Sequence, residues 1–159
     1  NHLSHLADHR RRPPMDRINA LLSYAYSIFA LDMRLALEAI GLDPYVGSLH
    51  VEWPGRPALA LDLQEEFRAP IADRLVLSLV NLRQVDASGF SIKPNGEVEM
   101  SDETRKTFLA AWQKRKREEI RHPFFDENME TGLVYVAQAR LLAKHVRGEL
   151  DYYPAFLWR

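Results

Sequence analysis

Between Asp16 and Gly41 the chain reads as a helix that is apolar almost all the way round. Beside Leu21, Leu22, Tyr24, Ala25, Ile28, Phe29, Met33 and Leu35, the polar residues Asn19, Ser23 and Ser27 form a thin stripe at i+4 spacing. A helix with one apolar stripe needs one neighbour. A helix apolar on most sides needs several, so this segment predicts the middle of a bundle. Its ends are marked: Asp16, after Pro13-Pro14, is an N-cap, and Gly41 with Pro44 stops the helix.

Three further segments follow helical punctuation. The second, about 58–82, carries Leu63, Phe67, Ile71, Leu75 and Leu79 at i+4 and is expected to kink at Pro70, which lacks an N–H and clashes with the turn before it. The third, about 102–121, is capped by Ser101-Asp102-Glu103, and the fourth, about 130–147, is closed by Gly148. Residues 90–100 alternate around Asn95-Gly96, a short hairpin. The aromatic tail from Leu150 to Arg159 is expected to dock on the helices, because water is a poor solvent for it. The expected fold class is all-α: a single helical domain over 1–159, a helical bundle with one small β-hairpin near 90–100, and a flexible basic leader over 1–12.

Composition narrows the class. A chain of 159 residues, 47% hydrophobic and 27% charged, can bury a proper core. The net charge of −1 gives no global attraction to nucleic acid, so any such binding must come from local patches. The absence of cysteine excludes disulfides and structural cysteine–zinc sites and fits a reducing, cytoplasmic setting. The longest uncharged apolar stretch, Ile18 to Leu31, is shorter than the roughly 18 residues a membrane span requires, and no signal peptide is expected.

Chemistry concentrates around residues 43–68. His50 lies in a turn-rich connection, just ahead of a helix bearing Asp62, Glu65 and Glu66 at i, i+3 and i+4. That spacing sets the carboxylates on one face, within reach of one ion. An imidazole with hard oxygens suits Mg²⁺ or Mn²⁺. The plainer account makes the acids a solvated face opposite the apolar stripe, and His50 a surface residue.

Cations fall in several groups: Arg10-Arg11-Arg12, the run Lys114 to Arg117, and Arg140, Lys144 and Arg147 along one face of the fourth helix, with Arg56 and Arg68 flanking the acids. Each alone reads as solvated surface; beside a metal site they fit an enzyme of nucleic acid. Trp53, Trp112 and Trp158 could stack on unpaired bases, although buried tryptophans are commoner. His2, His5 and His9 fall at helical spacing in the leader. The scattered glycines exclude a phosphate loop, and no short glycine turn joins two helices as a helix-turn-helix requires.

Four stretches carry a resemblance: Arg11-Arg12-Pro13-Pro14-Met15-Asp16-Arg17-Ile18-Asn19-Ala20-Leu21-Leu22-Ser23-Tyr24, Gly41 to His50, Gly55 to Arg68, and the ending Tyr153 to Arg159. Together they resemble the C-terminal helical catalytic domain of the CRISPR spacer-acquisition integrase, in its subtype I-C branch. The resemblance implies a metal-dependent DNA endonuclease and integrase that inserts new spacers by attack of a 3′-hydroxyl on a phosphodiester. It implies His50 and Glu65 as metal ligands, Asp62 as their catalytic support, and Mg²⁺ or Mn²⁺ as cofactor. The implied partners are prespacer and CRISPR-repeat DNA, a second copy in the full-length protein, and the small second adaptation protein, with no membrane. It further implies that the family's N-terminal β domain and one metal-binding glutamate are absent and that this fragment is inactive alone. The alternative is a non-catalytic helical DNA-binding or assembly module.

Overall fold

The computed structural model describes residues 16–44 and 58–157. Helix α1 (Arg17–Ala39) is followed by α2 (Ala58–Phe67), a π-helical turn (Arg68–Asp73) and α3 (Arg74–Asn81). A hairpin of β1 (Phe90–Ile92) and β2 (Val98–Met100) leads into α4 (Asp102–Arg117). A second hairpin, β3 (Glu119–His122) with β4 (Glu127–Glu130), leads into α5 (Thr131–Val146). The all-α class expected from the sequence holds, with each strand pair a separate antiparallel ribbon.

The caps form as the residue types require. Asp16 accepts from the Asn19 backbone N–H at 2.8 Å, and the Ser101 hydroxyl accepts from Thr104 N–H at 3.1 Å. Gly41 and Gly148 close α1 and α5 at φ +80° and +76°, where a side chain would be strained.

Helix α1 packs against α2, α3, α5 and β2. By length and composition alone it would pass for a membrane span. The sequence rule, which counted only the uncharged stretch, did not flag it. What its apolar content serves here is the core: Leu21, Ala25, Phe29, Met33 and Leu37 are buried. Phe29 is the hub, with ring centroids of Trp112, Tyr135 and Phe67 at 5.0, 5.2 and 6.4 Å. Four helices thus meet on one ring, whose truncation to alanine would cost about 3–5 kcal/mol. The expectation of burial all round is corrected on one side, since Ile18, Leu31 and Leu35 are exposed. The Asn19–Ser23–Ser27 stripe is not a buried network either; the Ser27 hydroxyl donates to the Ser23 carbonyl of its own helix.

Pro70 does more than kink the second helix. It sits inside the π-helical turn, which joins α2 and α3 and absorbs the ladder bond that proline cannot make. The third helix ends at Arg117 instead of 121, because Glu118 turns extended (ψ 136°) and starts the second hairpin. Its register pairs Glu119 with Glu130 and His122 with Glu127. The tail docks as expected: Phe156 is buried against Phe67, centroid to centroid 4.7 Å.

Candidate functional site

Helix α2 is oriented from three sides. Ala60, Leu63 and Phe67 are buried in the core. On one flank the Gln64 side-chain amide donates to the Tyr26 carbonyl of α1 at 3.0 Å. On the other, the Glu66 carboxylate accepts from the Tyr153 hydroxyl (2.6 Å), the Phe156 backbone N–H (2.8 Å) and the Gln138 amide (3.1 Å). Burial pushes the Glu66 carboxyl above its ordinary range, against the pull of those three donors.

Glu66 is therefore not part of the acidic face that its i+4 spacing suggests. Asp62 and Glu65 remain, one helical turn apart, about 60° apart around the axis. Asp62 is buried, at 8% exposure, whereas Glu65 faces solvent and pairs with the Arg68 guanidinium at 3.0 Å. Arg68 also lies over the Tyr26 ring, 5.5 Å from its centroid. The Tyr26 hydroxyl donates to Asp73 at the end of the π-helical turn. Burial, reinforced by that carboxylate, raises the Tyr26 phenol's pKa and keeps it protonated.

His50 and Arg56 lie outside the described residues, as do the leader histidines, Arg10-Arg11-Arg12, Trp53 and Trp158. Among the described residues no three histidine or carboxylate side chains converge as a metal cluster. The donors that are described fit half of a hard-cation site: two carboxylates on one turn, the outer one already holding a cationic partner. Glu65 would be its ligand on this helix, with Asp62 supporting it from one turn earlier.

The basic groups separate clearly. Arg115 pairs with Glu118 at 2.8 Å and Lys116 with Asp32 at 3.2 Å, so two of the four cations of the third-helix run are neutralised, and Arg121 beyond it pairs with Asp126 at 2.6 Å. Arg140, Lys144 and Arg147 line one groove with Ala39, Ile40 and Ala143. Arg147 bonds Glu149 at 2.8 Å. Trp112 is no base-stacking platform: it is fully buried and donates to Asp32 at 2.7 Å.

Sequence reasoning missed a buried polar chain beside this site. His122, fully buried at the end of β3, accepts at Nδ1 from the Phe124 and Phe125 N–H groups (3.2 and 3.4 Å). Its Nε2 meets Gln138 Oε1 at 2.8 Å, and burial lowers its pKa. Gln138 Nε2 faces Glu66, the Tyr153 oxygen (2.9 Å) and the Pro154 carbonyl (3.2 Å). The only signal in the sequence was Pro123, just past the expected end of the third helix.

A family model described as CRISPR associated protein Cas1 matches residues 5–114. The chain is similar to CRISPR-associated endonuclease Cas1 1 of Chlorobaculum tepidum, 55% identical over 149 residues, 94% of this chain and 43% of that protein. A solved Cas1 protein from Thermotoga maritima superposes with a TM-score of 0.75 at 28% identity, covering 89% of this chain and 44% of that one. A casposase bound to an integration product superposes with a TM-score of 0.81 over 89% of this chain and 40% of that one, and at 24% identity shows likeness of fold alone. The chain spans less than half the length of each of these relatives.

Proposed function

The chain belongs to the Cas1 family of CRISPR-associated proteins, and on that premise we propose that it is the helical catalytic part of a divalent-metal-dependent DNA endonuclease and integrase. In this reading a 3′-hydroxyl attacks a phosphodiester in a CRISPR repeat and joins a new spacer to it. His50 and Glu65 hold Mg²⁺ or Mn²⁺, and Asp62 supports them one turn earlier. The ion supplies Lewis-acid stabilisation of charge on the phosphate and a lowered pKa for the attacking hydroxyl.

The chain's own residues do the rest. Arg68 places a guanidinium 3.0 Å from Glu65, where it serves a phosphate oxygen as readily as a carboxylate. Tyr26, held by Asp73 and under the guanidinium, keeps that cation in place. Arg140, Lys144 and Arg147 run along the DNA backbone, and Arg56 is a further phosphate contact. The partners are prespacer and repeat DNA, a second copy, and the small second adaptation protein, in the cytoplasm.

The single observation carrying this reading is the solvent-facing Glu65, paired with Arg68, one turn after the buried Asp62 on a helix clamped on both flanks. It is tested by strand transfer in a protein of the relatives' full length: His50→Ala or Glu65→Ala abolishes Mg²⁺-dependent joining without unfolding. Joining retained by both variants refutes it. A second reading, a non-catalytic DNA-binding or assembly module, is favoured by the cationic groove on α5; it requires salt-dependent DNA binding indifferent to divalent metal.

A further inference from the structure

Hydrophobic packing decides which half of α2 faces inward, but apolar contacts are non-directional and tolerate rolling of a helix. Directional bonds set the roll more tightly. Gln64 and Glu66 lie about 200° apart around the axis and grip different neighbours: Gln64 the backbone of α1, Glu66 both α5 and the tail. Glu65 lies between them.

The Glu66 side is ordered by a chain of forced choices. Two backbone N–H groups occupy His122 Nδ1, so its proton sits on Nε2 and is donated to Gln138 Oε1. That turns the Gln138 NH₂ toward Glu66, Tyr153 and Pro154. Tyr153 donates its own proton to Glu66 Oε1. A buried carboxylate costs free energy that an apolar residue there would avoid, and what it supplies in return is direction.

We propose that Glu66, held by Tyr153, Gln138 and the Phe156 backbone, is the positioning residue that fixes the roll of α2 and so aims Glu65, with Asp62 supporting it, at the metal ion. This rests on the metal-site reading above. The docked tail is then part of the site's support, and loosening it loosens the ligands.

The test is Mn²⁺ affinity of the 159-residue chain, with amide hydrogen exchange along α2 measured in the absence of metal. Tyr153→Phe removes only the hydroxyl. It is expected to weaken Mn²⁺ about tenfold, the usual scale for a support shell around a metal ligand, and to speed exchange at Asp62 to Glu66 while helical circular dichroism is unchanged. Glu66→Gln, which sets an NH₂ against groups that donate, is the second variant and shifts both readouts the same way. Trp112→Phe, which breaks the Asp32 bond elsewhere in the bundle, lowers stability but leaves the affinity alone. Affinity of both tail-side variants within about twofold of wild type, while binding still depends on Glu65, overturns the positioning role alone. No binding by wild type, or binding that survives Glu65→Ala, overturns the metal-site reading and the role with it.

Discussion

Gln138→Met keeps the length of a fully buried side chain and removes every polar atom it contributes. His122 Nε2–H loses its acceptor, Gln138 Oε1. A buried donor left unmade costs about 1–3 kcal/mol. Glu66 loses one of its three donors, a hydrogen bond to a charged group worth about 1.5–3 kcal/mol. The Pro154 carbonyl loses its donor too, but it lies at the edge of the tail and adds little. The sum is roughly 3–5 kcal/mol, a large share of the 5–15 kcal/mol by which domains are stable. Urea unfolding followed by circular dichroism should show the midpoint falling by about 2 M at a slope near 2 kcal/mol/M. Adding His122→Phe should recover nothing, because it removes the orphaned Nε2–H but strands the Phe124 and Phe125 N–H groups that Nδ1 accepts. A loss below about 1 kcal/mol in the single variant would refute the claim that this network is a closed hydrogen-bonded unit.

Two further outcomes follow from the same physics. His122 has a lowered pKa from burial, so its contribution to stability is complete above the ordinary value of 6.5 and is lost as pH falls from there through the folded pKa, at up to about 1.4 kcal/mol per pH unit. Glu66, raised by burial, acts oppositely: its contribution is present below its ordinary 4.5 and is lost as pH rises through the folded value. Ring nitrogen NMR separates the two, and a His122 ring that titrates at or above 6.5 would contradict the buried neutral tautomer. Gly89→Ala would set a Cβ 2.1 Å from the Thr104 hydroxyl oxygen, which is bonded back to the Gly89 carbonyl at 3.2 Å. A β-branched residue in the first turn of α4 cannot swing clear, so thermal unfolding should show a loss of about 1–3 kcal/mol; a neutral result would refute that contact.

What could be read from the sequence was what local physics controls. Asp16 and Ser101 cap where their oxygens reach an N–H three residues on, and Gly41 and Gly148 stop helices because φ turns positive there. Asn95-Gly96 signalled the first hairpin, although its loop spans Pro94, Asn95 and Gly96, closed by the Lys93–Glu97 backbone bond at 2.8 Å. The second hairpin was hidden because Lys114 to Arg121 is good helix sequence up to a break that propensity alone places too late. Asp126 takes φ +56° to turn it, a choice open to Asp and invisible without its partner strand.

On α2 the one-turn spacing of Asp62 and Glu65 was legible in the sequence, whereas the fate of Glu66 was not. Its partners lie 72 to 90 residues away, and no periodicity carries that information. The same distance rule separated the cations, since Lys116 meets Asp32 across 84 residues, and only the fold shows that pairing.

The central claim is that His50 and Glu65, supported by Asp62 one turn earlier, hold a divalent ion. It is tested most directly by calorimetric titration of Mn²⁺ into this chain and into a His50→Ala, Glu65→Ala double variant of confirmed fold. The account predicts binding by the wild type that disappears in the double variant; equal binding by both would place the ion elsewhere and contradict it.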